Sequence, residues 1–313
     1  MDTTAEHELT VNYVETAALA TASFATPGVV FNPAQMQWFY EQCFAQGHTV
    51  IALRNGDRKV GQITMVHQTV MVDGQPERAA QLVDLFIDSS VRSRKSLTNL
   101  YDEVGRQFLR QDIRFAIGMP NDKAVGINAH FFQLAPFCKM PLCMGLALPL
   151  PTARNLVSMA FTLETKVECE ALFSRYSTAA SENGVPWDAT ALGRRLSGFT
   201  HQYGVHAVDD VLLISSPRAS RGVPYTMLCG LFARSGTTAP ASAVSSVVRA
   251  ACAMWRRPIY AYAGINTKLI ALPGITLPVK LRPSPLLIQL RDFKPDRGPL
   301  RLDRFQALDF DLG

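Results

Sequence analysis

The chain has 313 residues, 48% hydrophobic and 18% charged, with a net charge of +5. That balance belongs to a core-forming protein and excludes a disordered one, and the length suits two cores of about 150 residues better than one. The mild positive charge fits an anionic small molecule or surface and not nucleic acid, which draws a denser basic patch with interleaved aromatics.

Residues 1–12 read as a mobile tail, and its opening eight residues, Met1-Asp-Thr-Thr-Ala-Glu-His-Glu8, are acidic and polar, with nothing of a secretory signal. Asn32-Pro33 then opens a helical pattern in which Met36, Phe39, Tyr40, Cys43 and Phe44 recur. Residues 49–66 read as two strands around a turn at Asn55-Gly56-Asp57, residues 70–76 hold a second turn, and residues 79–88 form a central strand. A helix over 97–111, a strand over 113–121 and a short helix over 122–134 follow. The prolines of the stretch from Leu146 to Thr152 prevent a regular element there, which places a linker and divides the chain into domains at 1–148 and 149–313. The second half is expected to hold a helix over 168–183, a region around Trp187 and a strand at 211–215 with a turn at 217–222. Beyond these come a strand over 225–233, a helix over 242–256, a strand over 258–266 and a last extended stretch over 286–291.

The two halves repeat one unit: an apolar strand, a basic or glycine-bearing loop, an amphipathic helix and a second apolar strand. The first loop is Val91-Arg-Ser-Arg-Lys-Ser96 and the second is Arg234-Ser-Gly-Thr-Thr238. A strand feeding a loop that opens a helix offers backbone N–H groups and a positive dipole end to an anion, so the repeat points to a phosphate-bearing ligand. The six cysteines, at 43, 138, 143, 169, 229 and 252, show no CxxC spacing and read as reduced thiols. No metal is expected: His201 and His206 have no carboxylate at ligand spacing. The sequence holds no Gly-x-Ser-x-Gly elbow, Walker loop, HExxH or Rossmann glycine fingerprint.

The segment from Phe86 to Leu134 resembles the GNAT N-acyltransferase superfamily. In that family a strand leads into an Arg/Gln-x-x-Gly-x-Gly/Ala loop and a helix, and the next strand often ends in Pro-Asn before a short helix bearing a tyrosine. The corresponding stretches here are Val91-Arg-Ser-Arg-Lys-Ser-Leu97, Gly118-Met-Pro-Asn121 and Asn128-Ala-His-Phe-Phe132. Both loop glycines are absent, and Phe131 or Phe132 falls where the tyrosine would be. The resemblance implies a mixed α/β (α+β) fold of two tandem GNAT-like domains, each a mostly antiparallel mixed sheet with flanking helices. It also implies acetyl-CoA or another acyl-CoA as substrate, held by Arg92, Arg94, Lys95, the amides of Ser96 and Leu97, and Asn121.

Acyl transfer from a thioester needs a bound donor, a base for the incoming amine and an acid for the leaving thiolate. Alternation along the first central strand puts Leu82, Asp84, Phe86 and Asp88 on one face and Val83, Leu85 and Ile87 on the other. Asp84 is the first candidate for base or amine anchor, because a carboxylate in a central strand is costly unless it is hydrogen-bonded or faces a cleft; Asp88 equally suits capping of the next turn. Against this stands a satisfied buried carboxylate. His130, on the short helix, is an acid or base candidate, and Tyr260, sharing a face with Tyr262, is a candidate acid; for both, packing is the plain alternative.

The functional expectation is an acyl-CoA-dependent N-acyltransferase acting on an amine of a small metabolite. A non-catalytic GNAT-fold binding or scaffold protein and an aminoacyl-transferase of the peptidoglycan-bridge type are the alternatives. The expected partners are the amine and the acyl-CoA, with a homodimer left open, no nucleic acid and no membrane span. The expected location is cytoplasmic.

Overall fold

The structure is a computed structural model that describes residues 3–24, 30–148, 153–178, 181–198, 201–282, 284 and 286–310. Of the expected linker, residues 149–152 lie outside these. Along the chain the elements begin with β1 (Thr4–Glu8), α1 (Tyr13–Phe24), α2 (Pro33–Glu41), β2 (His48–Asn55), β3 (Arg58–Val72) and β4 (Gln75–Ile87). They continue with α3 (Arg94–Arg110), β5 (Phe115–Gly118), α4 (Asp122–Phe132), β6 (Ala135–Lys139), β7 (Leu142–Leu146) and β8 (Val157–Ala160). Next are α5 (Lys166–Phe173), α6 (Ala189–Leu196), β9 (Gly204–Val208), β10 (Val211–Ser220), β11 (Val223–Ala233) and α7 (Ala241–Trp255). The chain closes with β12 (Ile259–Asn266), β13 (Ile275–Thr276), β14 (Leu287–Asp292) and β15 (Arg304–Gln306).

Two compact units emerge: residues 1–69, 77–139 and 287–299 form the first, and residues 70–76, 140–286 and 300–313 form the second. They are not consecutive pieces divided at 148/149. The extended stretch after residue 286, expected in the second half, is β14, and it inserts into the first sheet between β5 and β6. Strand β7, on the other side of the expected boundary, lies between β12 and β13 in the second sheet. The reason is that strand pairing is decided by register and burial, not by proximity in sequence. In the first unit the buried Arg114 guanidinium draws Asp292 at 3.1 Å and Glu77 at 2.9 Å, which ties the end of β14 to β5 and β4.

The first sheet has the order β1-β2-β3-β4-β5-β14-β6, in which β4 and β5 run parallel. Asn32 caps α2 by accepting from the amides of Ala34 and Gln35, with Pro33 in the first helical turn. Helix α3 buries Leu100, Tyr101, Val104 and Phe108 along one stripe against Ile51, Ile63 and Ala116 of the sheet. Truncating Phe108 to alanine there would cost about 3–5 kcal/mol. The expected mobile tail is in fact β1, paired antiparallel with β2. Its Glu8 meets the Nζ of fully buried Lys59 at 2.6 Å, and Thr16 of α1 accepts from the same ammonium at 2.8 Å. The tail's alternation is polar, so it carries no apolar signal; a buried cation supplies the tie instead.

The second sheet runs β13-β7-β12-β11-β10-β9-β8, with β15 pairing β12 off that path and β11 parallel to β12. Helix α7 packs Val244, Val247, Val248 and Ala251 on Leu213, Leu228 and Leu231. Instead of one helix over 168–183, α5 ends at Phe173 and a single 3-10 turn covers Ser174–Tyr176. None of the six cysteines forms a disulfide.

Candidate functional site

Strands β4 and β5 pair in parallel from Ala79–Phe115 to Leu82–Gly118, and there the pairing stops. Past that point the register of β4 changes. Asp84 has φ of +50°, a left-handed conformation unusual for a residue other than glycine. The side chains that reach the core are Ala80 and Leu82 before it, then Leu85 and Ile87 after it. Strict alternation, which had set Leu82 with Asp84, Phe86 and Asp88 against Leu85 and Ile87, is therefore broken by a one-residue bulge. The bulge turns Asp84 away from the core and toward α2, where the Tyr40 hydroxyl donates to its Oδ2 at 2.5 Å.

Tyr40 is itself oriented. Gln62 Nε2 donates to its oxygen at 3.0 Å, and to Thr64 at 3.1 Å. Burial and the neighbouring Asp84 carboxylate push the phenol well above its ordinary range, so it stays a donor. The rings of Tyr13 and His48 lie 5.9 and 5.7 Å from Tyr40, and Tyr13 donates to Glu41 at 2.9 Å. Burial lowers the His48 imidazole, leaving it neutral at pH 7. Asp84 and Glu41 thus each hold a tyrosine hydroxyl, and the rings of Tyr13, Tyr40 and His48 gather beside the point where the β4–β5 pairing ends. Asp88, by contrast, caps the next turn, accepting from Ser90 N at 3.0 Å.

The basic loop after β4 is built as a helix cap. Ser93 caps α3, its side chain accepting from Ser96 N, while Leu97 N bonds Ser93 O at 3.2 Å. Ser96 is buried, with its hydroxyl donated to Val91 O at 2.7 Å. The amides of Ser96 and Leu97, expected to meet a phosphate, are thus committed inside the cap, because a serine stands at the N-cap of a helix that starts at Arg94. Arg92, Arg94 and Lys95 stay exposed. Arg92 reaches back to Ile87 O at 2.8 Å, and Arg94 lies 3.4 Å from His130 Nε2. Asn121 spends its side-chain oxygen on the amides of Lys123 and Ala124 at the start of α4.

Of the three expected catalytic side chains, Asp84 meets Tyr40, whereas His130 stands beside Arg94 and edge-on to Phe131. Tyr260 belongs to the second unit, where its ring abuts Gly145 and packs beside the core with Tyr262. Phe131 and Phe132 stack on Tyr101.

The second unit repeats the divergence and then closes it. Parallel pairing of β11 with β12 ends at Leu228–Tyr262, and the register shifts at Cys229 opposite Ile214 and Ser215. Gln306 of β15 fills the gap beyond. Its Oε1 accepts from Leu231 N at 2.7 Å and from the Tyr262 hydroxyl at 3.1 Å, and its Nε2 donates to Leu231 O at 3.2 Å. One side-chain amide thus serves the backbone as a neighbouring strand would.

No protein-family model matches the chain, and no curated protein does. Solved structures do. A conserved protein of Enterococcus faecalis V583, described as a probable N-acyltransferase, aligns at a TM-score of 0.64 and 9% identity over 93% of this chain and 73% of its own. A tandem GNAT protein from the clavulanic acid biosynthesis pathway aligns at 0.56 and 11% over 96% of this chain and 100% of its own. The chain has the tandem GNAT fold. The N-myristoyltransferase of Saccharomyces cerevisiae, solved with bound myristoyl-CoA, aligns at 0.57 and 12% over 98% and 83%.

Within this GNAT fold, sequence reasoning missed Tyr40, Gln62, Tyr13 and His48. Tyr40 read as one of a helix's apolar stripe, and nothing in a linear pattern pairs it with a carboxylate 44 residues on. The signal available was Asp84 itself, which needed a donor. Among the described residues no cluster of three or more metal-ligating side chains occurs, and no helix is long and apolar enough to cross a membrane.

Proposed function

We propose that the chain is an acyl-CoA-dependent N-acyltransferase acting on an amine of a small metabolite, with its chemistry in the first unit. One observation carries this reading: the first unit sets a hydrogen-bonded carboxylate at the open divergence of β4 and β5, while the second fills its divergence with Gln306. The edge of β4 beyond Leu82 suits the amide-bearing arm of a thioester donor, and Arg92, Arg94 and Lys95 suit its phosphates. His130, beside Arg94, belongs with that anionic end.

In the reaction the neutral amine attacks the thioester carbonyl carbon; a C–N bond forms and the C–S bond breaks. The proton shed by the nitrogen passes to Asp84, directly or through water, and Tyr40 holds that carboxylate in place. Phe131 and Phe132 carry no proton, so the thiolate leaves as the anion and is protonated by water. Cytoplasmic location, where acyl-CoA is made, is part of the proposal.

The test is calorimetric titration of the full chain with acetyl-CoA, followed by release of free CoA thiol with a panel of primary amines. One acetyl-CoA per chain and amine-dependent thiol release are expected. Binding without release for every amine would favour the non-catalytic binding reading, and two equivalents bound would open the second unit to the same role.

A further inference from the structure

We propose that the second unit binds a small amphipathic carboxylate in the space that a helix occupies in the first. The inference is independent of the thioester site. In the first unit α4 follows β5 and covers one stripe of α3. Arg94 reaches His130, Leu97, Ile127 and Phe131 pack against the same core, and Tyr101 stacks on Phe131 and Phe132 at 6.3 and 5.4 Å. In the second unit β12 is followed by residues 267–274, which form no helix. The equivalent stripe of α7, namely Ala241, Val244, Ser245 and Val248, lines a cavity of about 330 Å³ instead.

The cavity is built, not left over. Tyr260 forms part of its lining, and Gly145 is where that ring presses on β7, with no room for a Cβ. Gly274, at φ of +93°, brings the opposite wall onto the backbone of Met144, again without room for a Cβ. Leu146, Leu148 and Leu272 complete an apolar lining, and Leu146 and Leu148 remain 69% and 62% exposed. Arg249, one helical turn from Ser245, supplies the charge. Ser245 accepts from its Nη1 at 2.9 Å and Ser246 from its Nη2 at 3.3 Å, which fixes a planar donor fork at the cavity. An apolar chamber with a fixed guanidinium selects a ligand with an apolar body and a carboxylate end.

The test uses decanoate and decanol in calorimetric titrations of the full chain, with and without saturating acetyl-CoA. One decanoate per chain is expected in both conditions. Ala241→Trp, at an exposed helix start, should abolish that binding with the circular dichroism spectrum unchanged. Arg249→Gln should weaken decanoate by about tenfold and leave decanol unaltered. Absence of decanoate binding, binding that survives Ala241→Trp, or equal affinities for acid and alcohol would each overturn the proposal. So would a dimer in sedimentation that Leu146→Asp dissociates, since a second copy would then cover this face.

Discussion

Asp84 and Gly230 hold the same station in their respective units: each is the second residue past the last parallel strand pair, Leu82–Gly118 in one and Leu228–Tyr262 in the other. The first unit places a carboxylate there. The second places no side chain at all, and Leu308 Cδ1 comes within 2.6 Å of where a Cβ would stand. The same divergence of two strands thus carries a hydrogen-bonded carboxylate in one unit and is taken up by the chain's own Gln306 in the other.

Replacing Asp84 by asparagine keeps its shape, its acceptance from Tyr40 and its left-handed backbone, which asparagine tolerates. Removal of the proposed base should lower turnover by roughly 10²–10⁴-fold with acetyl-CoA affinity little changed. Steady-state kinetics with a verified amine, alongside calorimetry, check this. Full activity would rule Asp84 out.

Alanine at both Arg92 and Arg94 should weaken acetyl-CoA binding. Each charge-assisted contact contributes about 1.5–3 kcal/mol, so an order of magnitude or more per residue is expected, together with a flatter dependence on salt. An unchanged dissociation constant would move the phosphates elsewhere.

Gln306→Ala removes the amide that satisfies Leu231 and Tyr262 in a buried gap. Leaving those groups unsatisfied costs about 1–3 kcal/mol. The denaturant midpoint should fall with little change in slope. A variant as stable as the parent would mean that the plug contributes nothing.

The buried His206 imidazole lies between Ser158 and Ser215 at 2.8 Å each, and burial pushes it down to about 3. The unfolded chain, at the ordinary value near 6.5, binds the proton more readily. Stability from this neutral histidine is therefore fully present above pH 6.5 and is lost progressively as pH falls toward 3. His67, lowered to about 4 by burial, acts in the same direction. His206→Asn should flatten the acid limb of a stability profile without abolishing it, and an unaltered limb would contradict the assignment.

By itself the sequence determined the local elements whose causes are local. The Asn32-Pro33 start of α2, the hairpin turn at residues 55–57, the amphipathic α3 and the repeated strand–loop–helix–strand unit follow from capping, turn chemistry and periodicity, each written within a few residues. The candidate carboxylate was legible too, because a charged residue in an apolar central strand demands an explanation. Tertiary structure decided the rest. The bulge at Asp84 is an insertion of one residue between two core-facing pairs, and an alternating pattern cannot announce where it breaks. The donor Tyr40, the exchange of β14 into the first sheet and the Gln306 plug all join residues far apart in the chain. Their pairing is set by which buried polar group finds a partner, and that is a property of the packed molecule and not of any stretch of sequence.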